Sequence, residues 1–169
     1  MKKIKDKYNL RFICYKTGKN PYNNKFIEEN GIKDVQIFNE LDKALSIRPD
    51  FAIISNPTSL HIPSALRCAR HGLHLFIEKP LSDSLKGIDK LIELVNSKRL
   101  ITLVGCNWRY HPALIELKEI LDKNVLVECL HFDVYAGSYL PDWRPWQDYT
   151  KSYSASVKLG GGAALDFIH

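Results

Sequence analysis

The stretch that most constrains this chain is Leu73-His74-Leu75-Phe76-Ile77, a short apolar run that goes straight into Glu78-Lys79-Pro80. A helical pattern, Ser64 to His71, precedes it and stops at Gly72. Helix, glycine, buried strand and charged pair together read as the second half of a βαβ unit. Open α/β sheets bind their ligands at the carboxyl ends of the strands, where Glu78 and Lys79 fall. Pro80 cannot extend a ladder and keeps Lys79 in an extended conformation. The alternative is an ordinary strand exit whose Glu and Lys are solvated.

The same pattern recurs along the chain. Leu10 to Tyr15 is β-rich and closes at the turn signals Thr17 to Pro21, followed by a short helix from Asn23 to Asn30 that Gly31 ends. Val35 to Phe38 is a strand, and Asn39 is placed to cap a helix through Ile47. Phe51 to Ile54 is an apolar strand ending at Ser55-Asn56-Pro57-Thr58, and a helix from His61 to His71 follows. Ser84 is placed to cap an amphipathic helix to Lys98, with Ile88, Leu91, Ile92 and Val95 facing inward. Leu100 to Gly105 is a strand running into Cys106-Asn107-Trp108-Arg109-Tyr110, and Pro112 starts a helix to Leu121. Alternating apolar strands and helices give right-handed parallel crossovers, hence a doubly wound, Rossmann-like α/β sheet.

The pattern changes after Asn124. Val125 to Tyr135 alternates like a half-buried antiparallel strand, and Tyr139 to Tyr153 is rich in aromatics. This predicts an incomplete nucleotide-binding domain over 1–123 and the start of an α+β, antiparallel-sheet domain over 124–169. No Gly-x-Gly-x-x-Gly turn is present, and Leu159-Gly160-Gly161-Gly162 leads into a helix only as the sequence stops. The chain therefore reads as truncated at both ends, lacking its first βα unit.

Composition excludes several classes of function. The net charge of +5 is spread over scattered lysines without the dense stripe of a nucleic-acid binder. No apolar run nears the roughly 18 residues that span a bilayer, and the basic N-terminus has no apolar stretch behind it. The expectation is a cytoplasmic protein with neither nucleic acid nor membrane as partner. The four cysteines, Cys14, Cys68, Cys106 and Cys129, lie far apart and read as reduced thiols. His61, Cys68, His71 and His74 are close in sequence, but their spacing matches no zinc pattern, so no metal site is expected.

Ser55-Asn56-Pro57-Thr58, Glu78-Lys79-Pro80, Asn107-Trp108-Arg109 and Gly160-Gly161-Gly162 with Asp166 and His169 together resemble the glucose-fructose oxidoreductase/inositol dehydrogenase/rhizopine catabolism (Gfo/Idh/MocA) family of NAD(P)-dependent sugar oxidoreductases. The resemblance runs from about Leu10 to His169. It implies hydride transfer between a nicotinamide cofactor and a sugar or nucleotide sugar. Lys79 would contact the reacting hydroxyl, held by Pro80 and polarised by Glu78. His169 would be the general acid/base, and Asp166 would orient it or bind a substrate hydroxyl. Many members space that pair by four residues, whereas here the spacing is three.

Asn56, Pro57, Thr58 and His61 would lie along the cofactor, with Glu78, Lys79, Asn107 and Arg109 near its nicotinamide. Lys16 stands where many relatives carry an acid for the adenosine ribose, which tilts the expectation from NAD towards NADP. Each residue keeps a structural alternative: Asn56 as a turn former, Arg109 as a surface cation, Lys16 as part of a solvated turn, Asp166 and His169 as an exposed acid and a terminal imidazole. Asp142-Trp143-Arg144-Pro145-Trp146 resembles a branch linked to surface-polysaccharide sugars. A homo-oligomer, or association with a complementing chain, is expected. The competing reading is a non-catalytic remnant or split-enzyme module that binds a partner chain.

Overall fold

A computed structural model describes residues 13–15, 35–123 and 128–167. Two compact units result, Met1–Asp50 and Phe51–His169. In the first, β1 (Ile13–Tyr15) and β2 (Gln36–Phe38) pair in parallel, with Cys14 opposite Ile37. Helix α1 (Leu41–Leu45) packs on both and buries Ala44 and Leu45. It starts one residue later than the Asn39 cap implied. Glu40 holds the capping position, and its carboxylate takes the Lys43 amine at 2.7 Å instead of a backbone N–H. Leu10 to Phe12, the expected helix from Asn23 to Asn30, Lys16 and His169 lie outside the described residues.

The second unit is built on three parallel strands in the order β3 (Phe51–Ile54), β4 (His74–Ile77), β5 (Thr102–Val104). Their carboxyl ends align, with Ile54 opposite Ile77 and Ile77 opposite Val104. The ladder runs on one step, since the Glu78 N–H donates to Ile54 O at 2.9 Å and the Gly105 N–H to Ile77 O at 2.8 Å. Helix α2 (His61–Arg70) joins β3 to β4, and α3 (Ile88–Lys98) joins β4 to β5. A parallel sheet of the Rossmann type with crossover helices is thus what the alternating pattern produces.

The core follows from period 2 in β4 and period 3.6 in α2. Leu75 and Ile77 point into α2, whose Ile62, Ala65, Cys68 and Ala69 are buried against them. Leu91 of α3 closes the layer over α2. On the opposite face the register lines up Ile53, Phe76 and Leu103, and Ile53 is 60% exposed. Within this unit, among the described residues, helices cover one sheet face.

Three local expectations are corrected. Helix α3 begins at Ile88 and not beside Ser84, because Gly87 enters it at φ +84, a left-handed conformation that admits little but glycine. Its inner side is Ile88, Leu91, Leu94 and Val95, while Ile92 is half exposed. The strand expected from Val125 to Tyr135 does not form over its described part, Glu128 to Tyr135. A strand needs a hydrogen-bonding neighbour, and among the described residues none lies beside it. Leu130, Phe132 and Val134 are therefore exposed. Helix α4 (Pro112–Asp122) begins with Pro112 in its first turn, as expected.

Candidate active site at the strand ends

Each strand of the second unit delivers one loop to the same edge. Glu78-Lys79-Pro80 follows β4, with the Lys79–Pro80 bond cis. The Glu78 carboxylate accepts from the Lys79 backbone N–H at 3.3 Å. Among the described residues no ion pair joins it to the Lys79 amine, although both line the same cleft. The amine instead donates to the backbone carbonyl of Asp166 at 3.1 Å, spanning 87 positions of sequence.

Asp166 belongs to α5 (Ala163–Phe167) and is 5% exposed. What brings α5 here is a tight glycine contact. The turn Val157–Leu159 packs on the turn Thr58–Leu60. Gly160 then sits at φ +77, and a Cβ added to it would lie 2.8 Å from Thr58 Cβ and 2.9 Å from the Ser59 nitrogen. A Cβ on Gly161 would lie 2.1 Å from the Tyr153 carbonyl oxygen. Only hydrogen fits there, so the glycine run locks the C-terminal segment onto the loop after β3.

That loop carries Asn56, Pro57 and Thr58. The Asn56 amide nitrogen donates to Ser64 Oγ at 2.8 Å, while its Oδ1 is buried without a partner. An orphaned acceptor of this kind is costly unless a ligand donor meets it. Thr58 is buried beneath Gly160. His61 is 2% exposed, and both its ring nitrogens are engaged by main-chain oxygens.

From β5 comes Gly105, then the turn Asn107–Tyr110. Phe76, Glu78, Lys79, Leu103, Gly105, Asn107 and Tyr110 line an open cleft of about 310 Å³, at the small end of ordinary ligand sites. A Cβ on Gly105 would come within 3.2 Å of the Phe76 ring and 3.4 Å of the Glu78 carboxylate, so glycine keeps this wall open. Arg109 is exposed and is not among the lining residues. Gly105, Tyr110 and Ser64 were not singled out from sequence. Tyr110 stands three residues after Asn107 in one turn, a spacing that could have drawn it in.

The residues fit a dinucleotide: an orphaned acceptor, a lysine amine and a glycine-opened wall converge at the carboxyl ends of a parallel sheet. Such a fold and strand-end edge are those of the Rossmann class of nucleotide-binding domains. The pattern of the Gfo/Idh/MocA group, described as "Oxidoreductase family, NAD-binding Rossmann fold", matches residues 5–106, and the chain belongs to this family.

Among its relatives, a levoglucosan dehydrogenase of Pseudarthrobacter phenanthrenivorans is 28% identical over 71% of this chain and 30% of its own length. A myo-inositol 2-dehydrogenase of Thermotoga maritima is 30% identical over 71% of this chain and 33% of its own. The chain thus spans about a third of the length of the curated relatives it matches. The crystal structure of the WlbA dehydrogenase from Bordetella pertussis, in complex with NADH and UDP-GlcNAcA, superposes with a TM-score of 0.58 at 19% identity. It covers 67% of this chain and 32% of that one, and bears out the fold.

Proposed function

We propose that this chain is the Lys79-bearing part of an NAD(P)-dependent oxidoreductase acting on a hydroxyl or carbonyl of a sugar or nucleotide sugar. The observation that carries this reading is the 3.1 Å bond from the Lys79 amine to Asp166 O, which sets the strand-end lysine beside the helix that leads to His169. A bound nicotinamide supplies or accepts the hydride. The chain's own residues supply the rest. Lys79 holds the reacting oxygen and offsets the charge that develops on it. His169 takes or returns the proton, and Asp166 orients it. Glu78 and Asn107, which line the cleft, hold the cofactor, with Asn56 and Pro57 on the neighbouring β3 loop.

Finer points rest on sequence. Lys16 favours NADP, and Asp142 to Trp146 favours a sugar destined for surface polysaccharide. The free Cys68, Cys106 and Cys129 fit a reducing, cytoplasmic setting. A functional division near residue 123 is supported by the end of α4 at Asp122. A second reading, a module that associates with a complementing chain or with itself, is favoured by the uncovered row of Ile53, Phe76 and Leu103.

The test is formation of reduced nicotinamide from NAD+ or NADP+ with levoglucosan, inositols and UDP-sugars. Turnover that falls at least about a hundredfold in Lys79→Ala and in His169→Ala supports the reading. Turnover untouched by either change contradicts it, and no turnover with any pair favours the association module.

A further inference from the structure

Tyr110 ends the turn after β5, lines the strand-end cleft, and leaves 64% of its surface exposed there. The turn that carries it is held at both ends. The Asn107 N–H donates to Gly105 O at 2.9 Å, and the His111 N–H donates to Trp108 O at 2.9 Å. Pro112 then starts α4. Trp108 packs its ring on His111, with centroids 5.4 Å apart, and is not a lining residue. Of the two aromatic residues in the turn, Tyr110 is the one that faces the cleft.

The lining is of two kinds. Phe76, Leu103 and Tyr110 are apolar or aromatic, while Glu78 offers an acceptor and Lys79 and Asn107 offer donors. The two kinds meet at Gly105, where a Cβ would lie 3.2 Å from the Phe76 ring and 3.4 Å from the Glu78 carboxylate. A ligand that satisfies both has a flat apolar face with a polar group attached directly to it. Aromatic faces carry partial negative charge and attract electron-poor rings and cations. We propose that Tyr110 is a specificity-determining residue of this cleft: its ring stacks on a flat, electron-poor heteroaromatic ring whose carboxamide meets Glu78 and Asn107. A nicotinamide is a ring of that class, and naming it rests on the functional reading above. The preference for a ring over a bare sugar phosphate rests on the lining alone.

Nicotinamide mononucleotide and ribose 5-phosphate differ by the ring, so titrating the chain with each, followed by proton NMR, isolates what the ring contributes. The unaltered chain is expected to bind the mononucleotide about tenfold or more tightly than the sugar phosphate, as one aromatic stack does for a base. Ring currents should move the nicotinamide protons upfield on binding. Tyr110→Leu should remove most of the preference and shrink the upfield shift, while Tyr110→Phe keeps both. The side chain is mostly exposed, so neither change threatens the fold. A preference that survives in Tyr110→Leu overturns the role of Tyr110 and leaves the nicotinamide reading standing. A loss as large in Tyr110→Phe would assign the effect to the hydroxyl and overturn stacking. No binding of the mononucleotide by the unaltered chain at millimolar concentration contradicts the nicotinamide reading and the proposal together.

Discussion

The Lys79 amine and the Asp166 carbonyl oxygen lie 3.1 Å apart, though 87 positions separate them in sequence. A long side chain at the end of β4 is thereby tied to the five-residue helix α5. Nothing in a helix that short would hold it in place alone. Its position depends on how the glycine run docks against Thr58 and Ser59.

Gly160→Ala should therefore release α5 from Lys79. The added methyl meets Thr58 Cβ and Ser59 N, and the positive φ strains any side chain, a cost of roughly 1–3 kcal/mol. Hydrogen exchange at the Asp166 amide, which now donates to Gly162 O at 3.0 Å, should quicken by about tenfold or more, with the β4 amides unaffected. Unchanged exchange at Asp166 would show that the glycine contact does not hold the helix.

The one-sided core makes a sharp contrast between two isoleucines. Ile77 is fully buried under α2, and Ile77→Ala should cost about 2–5 kcal/mol. Ile53 is 60% exposed on the opposite face, and Ile53→Ala should stay within about 0.5 kcal/mol. Urea unfolding of both variants checks this, and a large loss for Ile53→Ala would mean that its face is covered in solution.

Much of this layering can be read from the residues. The apolar run Leu73 to Ile77, bounded by Gly72 and Pro80, marks β4 because both punctuators act locally. Pro112 marks the start of α4 for the same reason. Ser84 misleads, since a good capping residue is outweighed by the left-handed Gly87, where a Cβ would also press on Ile62 of α2 at 3.1 Å. The inner face of α3 turns from Ile92 to Leu94 because the helix beneath it sets the direction, not its own periodicity. Glu128 to Tyr135 alternates like a strand, yet alternation shows which face wants burial and not whether a neighbour is there to bury it. The bond from Lys79 to the Asp166 carbonyl is a tertiary fact; the resemblance placed both residues in one site but gave no such bond.

The thiols should separate by exposure. Burial pushes the Cys68 thiol above its ordinary value, against a smaller lowering by the nearby Arg67 charge. Cys106 and Cys129 are exposed. Iodoacetamide followed by peptide mapping should mark those two in the native chain and reach Cys68 only after unfolding. A raised value also fixes the sign with pH. Stability drawn from a neutral Cys68 is complete below the thiol's usual range, near about 8.5, and is lost as pH climbs beyond it. Equal labelling of Cys68 would contradict its place in the core.

Asp148 gives the opposite slope. Its carboxylate accepts from the Thr150 hydroxyl at 2.6 Å and the Thr150 amide at 3.1 Å, which with the Lys151 amine hold it below the usual carboxylate range. What it contributes to the turn Tyr149–Lys151 is present above about pH 3.9 and fades as pH falls through the lower folded value. The Thr150 amide shift should move in that acid window and stay flat in Asp148→Ala. A Thr150 amide that ignores acid would remove this cap.

The central claim is that the strand ends form a nicotinamide cleft in which Lys79 takes part. Calorimetric titration of the chain with NADPH and NADH, alone and as Lys79→Ala, tests it most directly. The account predicts measurable binding by the unaltered chain, weakened about tenfold or more in the variant, the loss of one hydrogen bond from a charged donor. Binding of equal strength in the two, or none at millimolar cofactor, would contradict it.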